Sequence, residues 1–479
     1  MQHNLKDRLA RIPFLELPRT FQDAVTVVRN LKLGIRLLWI DSLCIIQGDK
    51  EDFERECAKM HDTFTNAVVT ICGPSAVDTD AGFLFEREDC SVYLGSEQRL
   101  EVQIGNEPVE VTITSQRSNQ VGTRKQLNSV LSSRAWIFQE RLLSTRVLYF
   151  GKNQMYMECS SADFYEYLRT PLKALTNNFP RSKEALKVAN QDDALRQWNA
   201  IIQEYSTCDI GKGDDWLPAL SGTASRLSKS LNAPYYAGLW RYKFVRQLAW
   251  HKGHRLRGEP RPSTERRSAT QATVRPPSWS WASCEYGVWF FWSLGSTERW
   301  TDYAQIMEIC APPVGLDPFG QVDRRSAYTT LQAPCRAAIV RRDRLIKSRR
   351  GWDRGEFDEW VYSTDDRLVI GRMIRDDPSY VEHDERVVVL LLAAQPQLYD
   401  NRVNMWAALV LRRIERIDGE SIPPSWETYC RIGLVGIYFR DLSHDIVARD
   451  NPAGPGEVEA HDHIWSWMKT GDLRTITLL

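Results

Sequence analysis

Trp136 and Glu140 stand four residues apart in RAWIFQERLLS (Arg134–Ser144), a spacing that puts an indole and a carboxylate on one face of a helix. Such a pair suits a reaction in which positive charge develops on the substrate. The carboxylate opposes the developing cation, while the indole shields a flat ring and excludes water. The plainer reading is Trp136 as core and Glu140 as an ion-pair partner of Arg134 or Arg141, since ordinary amphipathic helices carry the same pattern. Asp41 is the second candidate. It follows RLLWI (Arg36–Ile40), and open α/β sheets bind ligands beyond the carboxyl ends of their strands. There it could accept a ribose hydroxyl or pair with Arg55, with Gln47 on the same loop. Alternatively it shapes an Asx turn before the next helix.

Other reactive side chains carry less. Cys44 has no histidine near it in sequence, and buried thiols are usually inert. His251 with His254, and His461 with His463, lack an ordered set of further ligands, so no metal site is expected. Trp279 and Trp281 alternate in PSWSWAS, which reads as a strand with both indoles on one face, anchoring a core.

The elements that must position these residues follow from periodicity. Thr20 and Asp23 have capping-box spacing ahead of a helical face formed by Phe21, Ala24, Val25, Val28 and Leu31. RLLWI then reads as a buried strand. A helix from Lys50 to Thr65 carries Phe53, Cys57, Met60 and Phe64 on one stripe, with acids at its positive end. VVTIC (Val68–Cys72) is the next strand, expected parallel to and beside RLLWI, with the helix crossing between them. From Gly82 to Thr114 short alternating segments, VYL and LEVQI, suggest antiparallel strands. Arg134–Ser144 returns to helical spacing, and VLYF and QMYME follow as strands. Helices dominate from Ser182 to Trp250, a basic Pro/Ser/Thr-rich stretch runs from Arg255 to Pro277, and RVVVLLLAA, WAALVLRRI and YCRIGLVGIYF make the remainder β-rich.

Composition narrows the function classes. Lysine plus arginine and aspartate plus glutamate number 62 each in 479 residues, so the chain lacks the electrostatic footprint of a nucleic-acid or anionic-membrane binder. The first residues, MQHNLKDRLARIPFLELPRTF, show no signal-peptide core, and no run reaches the roughly 18 apolar residues of a membrane span. Ten scattered cysteines without a CxxC pair point to reduced thiols. A cytoplasmic protein with no nucleic-acid or membrane partner is expected.

LWIDSLCIIQGDKEDFERECAKMHDTFTNAVVTI (Leu38–Ile71) resembles the central signature of the fungal heterokaryon-incompatibility (HET) domain, with LPRTFQDAVTVVRNL as its preceding helix. RAWIFQERLLSTRVLYFGKNQMYMEC (Arg134–Cys159) resembles the block that closes that domain. LPALSG (Leu217–Gly222), YYAGLW (Tyr235–Trp240) and PSWSWAS (Pro277–Ser283) resemble the extension that commonly follows. HET domains usually open with a strand bearing a sequence like LSYCWG, and this chain starts beyond that point. The resemblance therefore implies a lost strand or a truncated gene model, and leaves out any ligand contact that strand would make.

The resemblance implies an α/β amino-terminal unit with a parallel sheet, distantly like Toll/interleukin-receptor domains, followed by a mixed α+β, β-rich carboxyl-terminal region. The expected organisation is a HET domain over 1–159, a mostly helical extension over 160–255, a loop or linker over 256–277, and a β-rich region over 278–479 packed on the HET unit. HET proteins act in fungal non-self recognition, where incompatible fusion triggers cell death. Some Toll-like relatives hydrolyse NAD with a glutamate in a W-C-x-x-E motif. Trp136 and Glu140 share that separation, with Ile137 in place of the cysteine, so NAD is implied as a substrate rather than a bound cofactor. N-glycosidic cleavage of NAD passes through an oxocarbenium-like ribose, the charge type a carboxylate stabilises. The alternatives are a non-catalytic module that self-associates or binds a protein partner, which the absent strand favours, and an accessory protein or enzyme in a biosynthetic pathway.

Overall fold

The computed structural model describes residues 5–86, 97–104, 107–114, 133–152, 154–160, 162–166, 190–252, 276–284, 286–290, 300–343, 358–364, 369–375, 385–396, 403–414, 427–438 and 465–479. The chain divides into two units, Met1–Lys187 and Val188–Leu479. VYL, His254, His461, His463 and, apart from Pro276 and Pro277, the linker-like stretch 256–277 lie outside the described residues.

The amino-terminal unit begins with helices α1 (Leu5–Ala10), α2 (Arg19–Asn30), α3 (Asp41–Cys44) and α4 (Lys50–Asn66). α4 forms where the stripe places it. Asp49 caps it by accepting from the Asp52 amide at 3.0 Å, and Glu51 and Asp52 sit in the first turn, where the helix dipole favours them. Met60 and Phe64 turn inward against Leu143, with Cys57, Trp39 and Trp136 packed around them. The capping box expected in α2 does not form, because the N-cap is Pro18 and the helix starts two residues earlier than that box requires. Thr20 and Asp23 instead hold the 78–84 loop. The Thr20 hydroxyl donates to the Asp78 carbonyl at 3.1 Å, and the buried Asp23 carboxylate accepts from the Phe83 and Leu84 amides at 2.8 and 3.0 Å.

Strands β1 (Thr70–Cys72), β2 (Glu97–Ile104) and β3 (Glu107–Thr114) follow, then helix α5 (Ala135–Leu143) and strands β4 (Arg146–Phe150), β5 (Met155–Cys159) and β6 (Asp163–Tyr165). β2 and β3 pair antiparallel, as the alternation of LEVQI suggests. The main sheet has the order β1-β4-β5-β6; β1 and β4 are parallel, and the other pairs antiparallel.

One expectation is overturned here. RLLWI is not a strand beside VVTIC; the parallel neighbour of VVTIC is β4, with Ile71 opposite Leu148. Gly34–Ile40 runs without helix or ladder, though Ile40 keeps extended angles of φ −133° and ψ 123°. The sequence favours extension, but a strand exists only where a second backbone supplies hydrogen bonds, and no described segment pairs with this one.

The carboxyl-terminal unit joins the helical stretch to the β-rich one. Helices α6 (Gln191–Tyr205) and α7 (Ser221–Leu231), the short pair β7 (Tyr235–Tyr236) and β8 (Leu239–Trp240), helix α8 (Phe244–Gln247), and the pair β9 (Trp250–Lys252) and β10 (Val288–Phe290) surround an aromatic core. Trp198, Tyr205, Trp240, Trp250, Trp279 and Trp281 are all fully buried within it. Both tryptophans of PSWSWAS are core anchors as expected, but the segment is not a strand. The Ser280 hydroxyl accepts from the Ala282 amide and starts a single 3-10 turn at Trp281–Ser283.

The remaining strands are β11 (Thr301–Asp302), β12 (Gln305–Cys310), β13 (Tyr328–Asp343), β14 (Asp358–Ser363), β15 (Val369–Arg375), β16 (Glu385–Pro396), β17 (Val403–Arg413), β18 (Thr428–Tyr438) and β19 (Asp472–Leu478). β13 pairs with β14 and also with β16, and the pairs β14–β15, β15–β18, β18–β17 and β17–β16 complete a closed antiparallel ring. Val340, Val361, Met373, Val389, Trp406 and Val435 belong to its buried cluster. A small closed barrel fills with side chains in this way.

Candidate functional site

α5 is the element that decides the site. Its end is fixed to the sheet by Ser144, whose hydroxyl lies 2.6 Å from that of Thr70 in β1 and 2.6 Å from the Glu140 carbonyl. Arg141 turns to the sheet, and its guanidinium donates twice to Glu158 of β5, both bonds at 2.9 Å. Tyr149 of β4 donates to the same carboxylate at 2.9 Å. Bidentate geometry with a further donor is what makes a buried ion pair tolerable.

With Arg141 committed to Glu158, it is not the partner of Glu140. Nor does Arg134 close an ion pair, although its charge reaches the carboxylate. Among the described residues the Glu140 carboxylate makes no hydrogen bond or ion pair. Its pKa is raised from 4.5 to about 7, first by burial and then by the negative charge of Asp41, with Arg134 opposing. Cys72 of β1 lies within electrostatic reach of the same group. Burial, followed by the Glu140 charge, pushes its thiol up to about 12, so it stays protonated and unreactive.

Trp39 explains how Asp41 arrives here. Its ring meets Phe64 of α4 edge-on at 5.5 Å between centroids, which pins the chain two residues before Asp41. Asp41 itself is exposed and accepts from the Ser42 amide at 2.7 Å, so it shapes the start of α3 and also contributes charge to the Glu140 site. Trp136 packs into the interface of α4 and α5, 6.3 Å from Phe53 in an edge contact, and keeps partial exposure.

The structure therefore brings Asp41 to Glu140, with Trp136 one turn away on the same helix. Gln47 and Arg55 are engaged elsewhere. The Gln47 amide donates to the Ile45 carbonyl at 3.0 Å. Arg55 pairs with Asp52 rather than with Asp41, and Asp52 also accepts from the Ile46 amide at 2.7 Å. That backbone bond leads the causes holding the Asp52 carboxyl below its ordinary range. Cys44 is exposed. Among the described residues, no group of three or more histidine, cysteine or acidic side chains is placed to hold a metal ion, and no helix is long and apolar enough to cross a membrane.

Sequence reasoning missed the Arg141–Glu158–Tyr149 network. The signal was present in MYMEC: alternation puts Tyr156 and Glu158 on one face of β5, and an acid on a covered face needs a partner. In register across the four strands lie Cys72, Tyr149, Tyr156 and Tyr165, with Tyr149 and Tyr156 stacked 4.2 Å apart at 8°.

This arrangement is a helix carrying a buried carboxylate, docked on a mixed sheet and within electrostatic reach of a second carboxylate. Residues 1–140 match the family model described as heterokaryon incompatibility protein (HET), so the amino-terminal part of the chain carries a HET domain. The match ends at Glu140, and the later blocks that resemble the usual extension lie beyond it. No curated protein and no solved structure matches the chain.

Proposed function

We propose that this protein acts in fungal non-self recognition and the incompatibility death response by cleaving the N-glycosidic bond of NAD or a related nucleotide, with Glu140 as the essential carboxylate. The observation that carries the reading is the pairing of Glu140 with Asp41. A carboxylate whose proton affinity is raised by burial and by the negative charge of a neighbour forms a site that favours a cation. The ribose of NAD, joined to a pyridinium and passing through an oxocarbenium ion, supplies that charge. Water adds to the anomeric carbon, nicotinamide leaves with the bonding pair, and ADP-ribose and a proton complete the balance. Trp136 lines the same helix face and shields the departing ring. The likeness to Toll-like domains that the HET resemblance implies supports this choice of substrate by analogy of motif.

The test is incubation of the purified full chain with NAD, followed by product analysis. Nicotinamide release is expected from the wild type and not from Glu140→Gln, which keeps shape and removes charge. Equal release by both refutes the assignment. Consumption by neither favours the second reading, a non-catalytic module acting through protein contacts. A specific observation supports that reading as well: Leu33 and Leu37 stand 60% and 88% exposed on an extended, unladdered segment.

A further inference from the structure

Arg134 stands where a helix gains nothing from an arginine. It is the residue at which α5 begins, yet its side chain makes no capping hydrogen bond. It is exposed, and among the described residues it closes no ion pair. A cation there also opposes the helix dipole, whose positive end favours acids. Arg141 of α5 and Arg55 of α4, by contrast, are committed to Glu158 and Asp52.

The same helix carries the opposite charge, also without a partner. Glu140 lies roughly 9 Å farther along the axis at about 1.5 Å per residue, and its buried carboxylate makes no hydrogen bond or ion pair among the described residues. The two charges feel one another but do not meet. Trp136 stands between them in sequence and is partly exposed. It packs with Trp39 on the cluster of Met60, Phe64 and Leu143, which brings the Asp41 turn to the same place. A guanidinium at one end and two carboxylates at the other complement a molecule that carries an anion and a cation set apart.

We propose that Arg134 binds the phosphate of a nucleotide whose ribose lies against Glu140. The site then takes the nicotinamide mononucleotide half of a dinucleotide, with the phosphate toward the start of α5 and the pyridinium toward Glu140 and Asp41. This placement rests on the reading of Glu140 as the carboxylate that faces the ribose. A guanidinium suits the task, since its fork donates twice to one phosphate and the positive end of the helix adds to the attraction. The charge that the dipole opposes in the empty helix is thereby matched by the ligand. Adenosine offered to the same carboxylates brings no positive charge, so the charges also fix which half of NAD enters. Arg134 is a binding and specificity residue in this arrangement and takes no part in breaking the bond.

Calorimetry of the full chain with ribose 5-phosphate tests this without turnover, because that probe has no N-glycosidic bond to cleave. The wild type and Glu140→Gln are expected to bind it, and Arg134→Gln to bind it about tenfold or more weakly. Arg134→Lys should fall between, since lysine keeps the charge and loses the fork. In turnover, Arg134→Gln should raise the KM for NAD about tenfold or more with little change in kcat. Nicotinamide riboside, which has the pyridinium but no phosphate, should be cleaved equally by both. Hydrogen exchange in α5 peptides, expected to be as slow in Arg134→Gln as in the wild type, separates a lost site from a lost fold; where it is faster, Arg134→Lys carries the comparison. Ribose 5-phosphate that the wild type does not bind, or that both Arg134 variants bind as well as the wild type, overturns the proposal whatever becomes of NAD. Binding that is lost in Arg134→Gln, with no NAD consumed by the wild type, upholds the phosphate site and removes the cleavage reading instead.

Discussion

Glu140→Gln makes a prediction about stability that does not depend on any reaction. In the folded chain Glu140 holds its proton more tightly than in the unfolded one, so the folded state binds more protons between the two pKa values, and stability falls as pH rises through that window. Below about 4.5 the group is neutral in both states and costs nothing; above about 7 the penalty is complete. At about 1.4 kcal/mol per pH unit, the rise from 4.5 to about 7 amounts to roughly 3 kcal/mol. This is an upper limit, since the side chain keeps partial solvent access. Gln does not titrate. The variant should match the wild type near about pH 4 and exceed it by up to about 3 kcal/mol near about pH 8. Because the chain has two units, a global unfolding curve mixes their transitions. Urea dependence of hydrogen exchange in peptides covering α5 and β4 reads the amino-terminal unit by itself. Parallel pH dependence in wild type and variant across that range would refute the electrostatic account of Glu140.

Two further substitutions probe the framework. Tyr149→Phe removes one donor to the Glu158 carboxylate while Arg141 remains, and should cost the amino-terminal unit about 1–2 kcal/mol in the same exchange measurement. Gly238→Ala should destabilise the carboxyl-terminal unit by about 2 kcal/mol or more, read by hydrogen exchange in peptides covering α6 and β8. Gly238 sits at φ 93°, and an added Cβ would collide with the Trp281 indole, whose Nε1 donates to the Gly238 carbonyl at 2.9 Å.

How much of this was readable in advance depends on whether the interaction is local. The α4 stripe, its acidic first turn, the α5 spacing and the strands at VLYF and QMYME are set by neighbours a few residues away, and the structure has them. RLLWI failed because extension is a local preference while strand pairing is not, and no described backbone comes alongside. Thr20 and Asp23 failed differently. Their spacing fits a capping box, yet both side chains bond a loop about sixty residues later, a partner invisible to any window. In PSWSWAS the alternating tryptophans fit a period of two, but the Ser280 side-chain bond favours a turn. Ring closure through β13, which pairs on both sides over Ala338–Val340, likewise rests on contacts far apart in sequence. At the site, W-x-x-x-E spacing located the helix face, whereas the neighbourhood of Asp41 and Glu140 required Trp39 to dock on α4.

Asp41 is the second cause of the high proton affinity of Glu140, after burial. Asp41→Asn removes that negative charge and keeps the size of the side chain, so Glu140 should give up its proton at lower pH than in the wild type. The pH window over which the amino-terminal unit loses stability should then narrow at its upper end, read by the same hydrogen exchange in peptides covering α5 and β4. A window unchanged in the variant would assign the shift to burial alone and remove Asp41 from the site.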